Sequence, residues 1–271
     1  MTVFQAIVLG LVQGATEFLP ISSTAHLRIV PALAGWPDAG SAFTAVLQLG
    51  TLAAVVGFFL PDLSRMTRAA LRAFRDPAGR ADPDARAAAG ILVGTVPIGI
   101  AGVVFRDAIR GPLRSLWVIA CALIVVGVAL AIVEARARHR RGTSELTTRD
   151  ALLIGCAQAL ALIPGVSRSG ITLLAAMALG LRRDAAAHFS FLLSVPAVTA
   201  AAVFELPDVL GARGVGGAPL AAGLAASAVS GYVAIAWLLR FLRTRTTLPF
   251  VVYRVVAGGG IIAALMAGAL R

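Results

Sequence analysis

The chain has 271 residues, 59% of them hydrophobic and 14% charged, with a mean hydropathy of +0.89, which excludes an ordinary soluble domain and indicates a polytopic membrane protein. All 24 basic residues are arginine and the formal net charge is +11, yet the arginines lie mainly in short connectors, a pattern that topology explains better than nucleic-acid binding. Cys121 and Cys156 lie in apolar stretches without metal-ligand or redox spacing and read as packing residues.

The first apolar stretch, near residues 3–27, has no basic region before it and is interrupted by Glu17, so a cleaved signal peptide is not expected. Gln13 and Glu17 are four residues apart and share a helix face. Pro20 disfavours the helical conformation at Leu19, so a first half-helix ends there and a second begins near Ser22 or Ser23. The unpaired N–H groups and positive dipole end of that second half-helix form a site for phosphate or another anion. Ser22 and Ser23 add hydroxyls, and His26 follows at helical spacing.

Further apolar stretches fall near residues 41–60, 87–105 and 115–134. The longest connector, Pro61 to Ala89, holds six arginines with Asp62, Asp76, Asp82 and Asp84, and reads as a solvated loop with an amphipathic turn or two. The stretch 150–181 is interrupted in its turn by Pro164-Gly165-Val166-Ser167-Arg168-Ser169-Gly170. Pro-Gly breaks the helix and Ser167 is an N-cap, while Arg168 offers a fixed fork of donors to phosphate oxygens and, in apolar surroundings, demands a partner. Stretches near 187–206, 218–240 and 250–270 complete a set of eight.

The chain also repeats itself. Ala6-Ile7-Val8-Leu9-Gly10 with Gln13 matches Ala151-Leu152-Leu153-Ile154-Gly155 with Gln158, and one gap later Pro20 matches Pro164 and Ser23 matches Ser167. Phe43, Leu47, Ala54, Phe58, Leu60 and Pro61 align on Phe189, Leu193, Ala200, Phe204, Leu206 and Pro207. Each half, about 1–140 and 145–271, therefore holds a broken stretch followed by three ordinary ones. If the broken stretches are re-entrant, connector and terminal arginines divide 16 to 6 between the two faces, against 13 to 9 if all eight stretches cross. The sharper division fits the positive-inside rule. The expected fold is a single all-α membrane domain, an inverted-topology repeat with six transmembrane helices and two re-entrant helical hairpins, both termini outside. The hairpin tips meet near the bilayer midplane, where irregular backbone must be buried in protein or line a cavity.

Glu17 is the one carboxylate in the middle of an apolar stretch, where ionisation costs a few kcal/mol, so it is read as a general base or a ligand to a hard cation. Gln13 is either a second ligand or a helix–helix hydrogen bond. His26 is a proton exchanger or an interfacial histidine. Of the two serines, Ser23 is the preferred nucleophile, activated by His26 or Glu17, because it is three residues from His26 and occupies the place of Ser167 in its repeat. Ser22, Ser167, Arg168 and Ser169 are the expected phosphate binders. For Gln48, Gln158, Thr199 and Arg254 structural hydrogen bonding is the default.

Gln-x3-Glu with Phe-Leu-Pro-Ile-Ser-Ser-Thr-x-His, followed by Pro-Gly-Val-Ser-Arg-Ser-Gly early in the second half, closely resembles the undecaprenyl-diphosphatase family, also called bacitracin-resistance proteins. Phe189 to Pro196 and Leu248 to Arg254 also look like family segments, so the resemblance spans the chain. It implies a bacterial inner-membrane enzyme, its active site facing the periplasm. The implied reaction removes the terminal phosphate of undecaprenyl diphosphate to give the carrier lipid used in peptidoglycan synthesis. The resemblance also implies a divalent cation, Mg2+ or Ca2+, and a homodimer. Carried over by position, Gln13 and Glu17 form the acidic or amide pair, Ser23 and His26 belong to the Ser-Ser-Thr-x-His element, and Arg168 is the phosphate-binding arginine. Ala25 stands where the family usually has Gly, and Gln13 where some members have Glu, which leaves one less negative charge for a cation.

Two mechanisms are compatible with these residues. In one, Ser23 attacks the terminal phosphorus while His26 shuttles the proton; in the other, a cation-bound water attacks directly. A competing function class is a transporter moving a lipid phosphate between leaflets, since inverted repeats with mid-membrane helix breaks are also a transporter signature. An anion channel fits less well because Glu17 lies in the site.

Overall fold

A computed structural model describes residues 1–38, 40–211 and 216–270, with side chains throughout except at 41, 42, 110 and 204–211. The side chains of Phe204, Leu206 and Pro207 in the repeat, and Arg213 and Arg271 of the arginine division, lie outside the described residues. The described residues form α-helices joined by short 3-10 turns, with no strand. In chain order the helices are α1 (Val3–Phe18), α2 (Ser23–Ala34), α3 (Gly40–Phe58), α4 (Leu60–Arg75), α5 (Pro83–Val104), α6 (Arg106–Arg110), α7 (Leu116–Arg136), α8 (Thr148–Ala159), α9 (Arg168–Ala178), α10 (Arg183–Gly211), α11 (Gly217–Leu242) and α12 (Leu248–Met266).

Helices α5, α7, α10, α11 and α12 are each long and apolar enough to cross a membrane, and α3 with α4, bent by 74° at their junction, is so when the two are taken as a pair. The chain is a polytopic membrane protein, and the two remaining apolar segments are the broken ones. Local chemistry sets their limits. Thr2 and Gln5 form a reciprocal capping box at the start of α1, and Thr147 with Asp150 does the same for α8. Arg141 adds an ion pair of 2.6 Å to Asp150, fixing the chain between α7 and α8. At the far ends, α1 stops at Phe18 two residues before Pro20, and α8 decays through a 3-10 turn, Leu160–Leu162, before Pro164.

The two broken segments pack reciprocally. A Cβ on Gly10 would lie 2.3 Å from the carbonyl oxygen of Gly223 in α11, and one on Gly155 would lie 2.1 Å from that of Gly94 in α5. Thus α1 is seated against a helix of the second half and α8 against a helix of the first, each backbone to backbone at a position only glycine fills. In lipid, where burial of apolar surface gives no drive between helices, such close approach is a main source of association. The tip of the first segment is held from the side by Phe18, which meets Phe191 of α10 edge-on at a centroid distance of 5.4 Å.

Three expectations change. The connector after Pro61 is a helix: Arg65, Arg68, Arg72 and Arg75 recur at intervals of three and four along α4, and Met66 and Ala69 on another face are buried. Its charge content hid that period. Second, the residue that shares the place of Ser167 is Ser22. Both are N-caps with φ of 74° and 70°, so the extra residue of the second break, Gly165, moves the match by one and sets Ser23 opposite Arg168. Third, Cys121 and Cys156 are exposed on their helices and not packed inside.

Candidate active site

Gln13 and Glu17 lie on the buried face of α1, with no exposure and 8% exposure respectively. The chain then reverses through Leu19, Pro20 and Ile21, and Ser22 adopts a positive φ that a residue with a Cβ reaches only at a cost of about 1–3 kcal/mol. The turn returns the first residue of α2 towards α1, so that the Ser23 hydroxyl donates to Glu17 Oε2 at 2.6 Å. Gln13 Nε2 donates to the same oxygen at 3.1 Å. The other carboxylate oxygen, Oε1, accepts from Arg168 Nη2 at 2.9 Å. One carboxylate therefore joins both broken segments across 151 residues of sequence.

This pair is costly to expose to a low dielectric and costly to break. Removing one member of a buried ion pair leaves an uncompensated charge, at about 3–5 kcal/mol. Two polar atoms of the cluster are buried without a hydrogen-bond partner among the described residues: Arg168 Nη1 and Gln13 Oε1. One is a cationic donor, the other a neutral acceptor. A phosphate oxygen satisfies the first. The second, with the Glu17 and Ser23 oxygens, is the hard-oxygen donor type that Mg2+ or Ca2+ takes when phosphate supplies the remaining ligands. Among the described residues no three His, Cys, Asp or Glu side chains gather as a self-sufficient metal cage.

The cluster opens on a cavity of about 140 Å³ whose lining includes Glu17, Ser22, Ser23, Thr24, Ser167 and Arg168. Both half-helix starts border it, so the N–H groups of the first turns of α2 and α9 converge there with positive dipole ends. A second cavity of about 360 Å³, walled by α5, α6, α10 and Leu162, shares Ile98, Ala197 and Ala201 with it and is largely apolar apart from Arg106. The arrangement sets a small polar chamber beside an apolar one.

Other expected residues take different places. Ser167 lines the chamber, but its oxygen also accepts from Gly170 N at 3.2 Å as an N-cap. Ser169, expected to bind phosphate, instead donates to the Leu19 carbonyl at 2.9 Å and clamps one break to the other; it is absent from the chamber wall. His26 is absent from the chamber wall. Its Nδ1 lies 2.7 Å from the Ser22 carbonyl oxygen, which only a protonated Nδ1 can serve, leaving Nε2 for the Tyr253 hydroxyl. The His26 and Tyr253 rings stack at 5.5 Å and line a separate cavity of about 430 Å³. Gln48 is on the chamber wall, and Gln158, the counterpart of Gln13, is fully buried with both amide atoms unpartnered among the described residues.

Arg254 is the most consequential residue given only a structural default, and it makes the structural bonds expected of it on a larger scale. Fully buried, it donates to the carbonyl of Pro20 at 3.0 Å, of Gly165 and Val166 at 3.0 Å each, of Leu123 at 3.1 Å and of Ala122 at 3.3 Å. Each helix break frees carbonyls that water cannot reach, and one guanidinium collects them from both breaks and from α7. Thr24 on the chamber wall and Tyr253 beside His26 had no distinguishing signal beyond their place in the quoted motifs.

A family model described as "Bacitracin resistance protein BacA" matches residues 6–260. The chain is 53% identical to an undecaprenyl-diphosphatase of Myxococcus xanthus over 100% of its own length and 91% of the relative's. It is 51% identical to an undecaprenyl-diphosphatase of Synechococcus elongatus, covering 100% of this chain and 96% of the relative. With undecaprenyl-diphosphatase 2 of Streptomyces coelicolor it shares 45% identity over 100% and 97% of the two chains.

Proposed function

The chain belongs to the bacitracin resistance protein family BacA, and from that premise we propose that it removes the terminal phosphate of undecaprenyl diphosphate at the chamber where its two broken segments meet. Its products are undecaprenyl phosphate and inorganic phosphate, so it is a phosphoric anhydride hydrolase that returns a carrier lipid to cell-wall synthesis. The observation that carries the site is the Ser23 hydroxyl, 2.6 Å from a Glu17 carboxylate that is itself 2.9 Å from Arg168.

In this reading the diphosphate enters the polar chamber with its prenyl chain along the adjoining apolar cavity. Arg168, using the nitrogen that lacks a partner, and the first-turn N–H groups of α2 and α9 hold the phosphate oxygens. Glu17 takes the proton from Ser23 as the Oγ–P bond forms and the bond to the bridging oxygen breaks, with prenyl phosphate leaving. Glu17 gives that proton to the departing prenyl phosphate; it then takes one from water as the water oxygen bonds to phosphorus and the Ser23 Oγ–P bond breaks, and returns it to the Ser23 Oγ as inorganic phosphate is released. Glu17 is preferred to His26 as the proton acceptor because Ser23 is bonded to the former, while His26 is engaged by Ser22 and Tyr253. His26 supports the strained Ser22 carbonyl and so the start of α2.

A divalent cation, Mg2+ or Ca2+, held by Glu17 and Gln13 belongs to the same proposal; when bound it neutralises charge on the phosphates. The repeat division at about 140 to 145, supported by the reciprocal glycine contacts, is proposed also. So are residence in the bacterial inner membrane with the chamber open to the periplasm, supported by the arginine division, and a homodimer, supported by the resemblance. Purified protein incubated with a prenyl diphosphate and Mg2+ is expected to release inorganic phosphate. Absence of release from wild type with any divalent cation, beside measurable movement of a lipid phosphate between leaflets, contradicts the reading.

A further inference from the structure

Helix α4 is sided in a way the catalytic chamber does not use. Its buried face, with Met66 and Ala69, packs inward, and α4 and α5 are neighbours along their lengths. Of the two flanks left, one carries Arg65, Arg68, Arg72 and Arg75, at intervals of three and four. The other carries Leu60, Leu71 and Phe74, exposed by 56%, 58% and 88%. A helix with apolar and cationic flanks, lying at 74° to the preceding helix, has the form of one resting in the membrane interface.

Where α4 ends, a cavity of about 290 Å³ opens between it and α5, walled by Ala70, Ala73, Phe74, Ala85, Ala89 and Leu92 among others, with Arg80 and Arg86 at its edge. The local acids are already engaged. Asp62 and Asp84 pair with Arg65, Asp82 pairs with Arg72, and Asp76 caps the turn at Ala78. Arg75, Arg80 and Arg86 have no ion pair or side-chain hydrogen bond among the described residues. An apolar pit rimmed by uncompensated guanidinium groups, on a helix with the amphipathic form of an interfacial one, matches one partner in chemistry. We propose that this cavity seats an acyl chain of an anionic phospholipid, with the lipid phosphate on Arg80 and Arg86.

Purified full-length protein is transferred to micelles doped with either phosphatidylglycerol or phosphatidylcholine of the same chains, and retained lipid is counted by native mass spectrometry. Wild type is expected to keep phosphatidylglycerol selectively. Arg80→Gln with Arg86→Gln lowers that retention roughly thirtyfold, about fivefold per arginine. Ala89→Phe, which fills the pit and keeps both charges, lowers it as well. Equal retention of the two lipids by wild type, or unchanged phosphatidylglycerol in the arginine double variant, overturns the site. Loss in the arginine variant with full retention in Ala89→Phe overturns the seating of the chain in the cavity.

Discussion

The two broken segments have the same build and opposite chemistry. Each begins at a capping box, crosses a helix of the other half through a glycine, breaks before a proline-led turn, and restarts behind a serine with positive φ. The first contributes Gln13, Glu17 and Ser23, an acceptor-rich set with a hydroxyl. The second contributes Arg168 from the position opposite Ser23, and at the place of Gln13 it has Gln158, whose side-chain amide makes no hydrogen bond among the described residues. The comparison separates scaffold from chemistry: what the halves share builds the chamber, and what they do not share works in it.

The comparison breaks first at its charges. Arg168→Ala should lower phosphate release by about a thousandfold, the upper range for loss of one donor to a developing oxyanion. Glu17→Gln, which keeps shape and loses the base, should lose about as much. Ser23→Ala should also abolish turnover in the covalent route while retaining substrate, measured as loss of kcat with little change in affinity. Retained turnover in Ser23→Ala would replace that route by direct attack of water. The account of the shared scaffold is tested by Arg254→Met, which strands carbonyls of both breaks and should destabilise the fold by about 3 kcal/mol or more, read as a lowered unfolding temperature in detergent.

A finer test compares equivalent glycines. Gly10→Ala and Gly155→Ala each place a methyl against a carbonyl oxygen and should both destabilise, by about 1–3 kcal/mol. Gly99→Ala, which meets nothing within 4 Å, should stabilise slightly or be neutral. The smallest effect should come from Gln158→Leu. Its amide is buried and unpaired, so replacing it is expected to leave activity intact and stability unchanged or raised. Gln13→Leu should cost activity, and the contrast between the two glutamines isolates what the first hairpin alone supplies.

Much of the architecture was legible because it is written locally. Hydropathy marks the spans, Pro20 and Pro164 mark the breaks, and an isolated Glu17 and Arg168 in apolar surroundings point to each other. What was not legible depends on tertiary placement or on the counting of one residue. Helix α4 was hidden because its arginines raised the polarity of a segment whose period is helical. The match of Ser23 with Ser167 failed because the gap between breaks was placed one residue off, and only the φ angles locate the true N-caps. Spacing along α2 favoured Ser23 with His26, whereas the turn delivers the Ser23 hydroxyl across the break to Glu17. Arg254 serves carbonyls from three distant segments, and no local pattern announces that.

The claim on which the account rests is that Glu17 and Arg168, from different halves of the chain, act as one unit in one chamber. A double-mutant cycle on phosphate release tests it directly, with Glu17→Asp, Arg168→Lys and the combined variant, all three conservative enough to leave a residual rate. The account predicts that the combined variant is about as slow as the slower single variant, because each substitution disables the same unit. Losses that multiply would contradict it, since they would show the two residues acting independently.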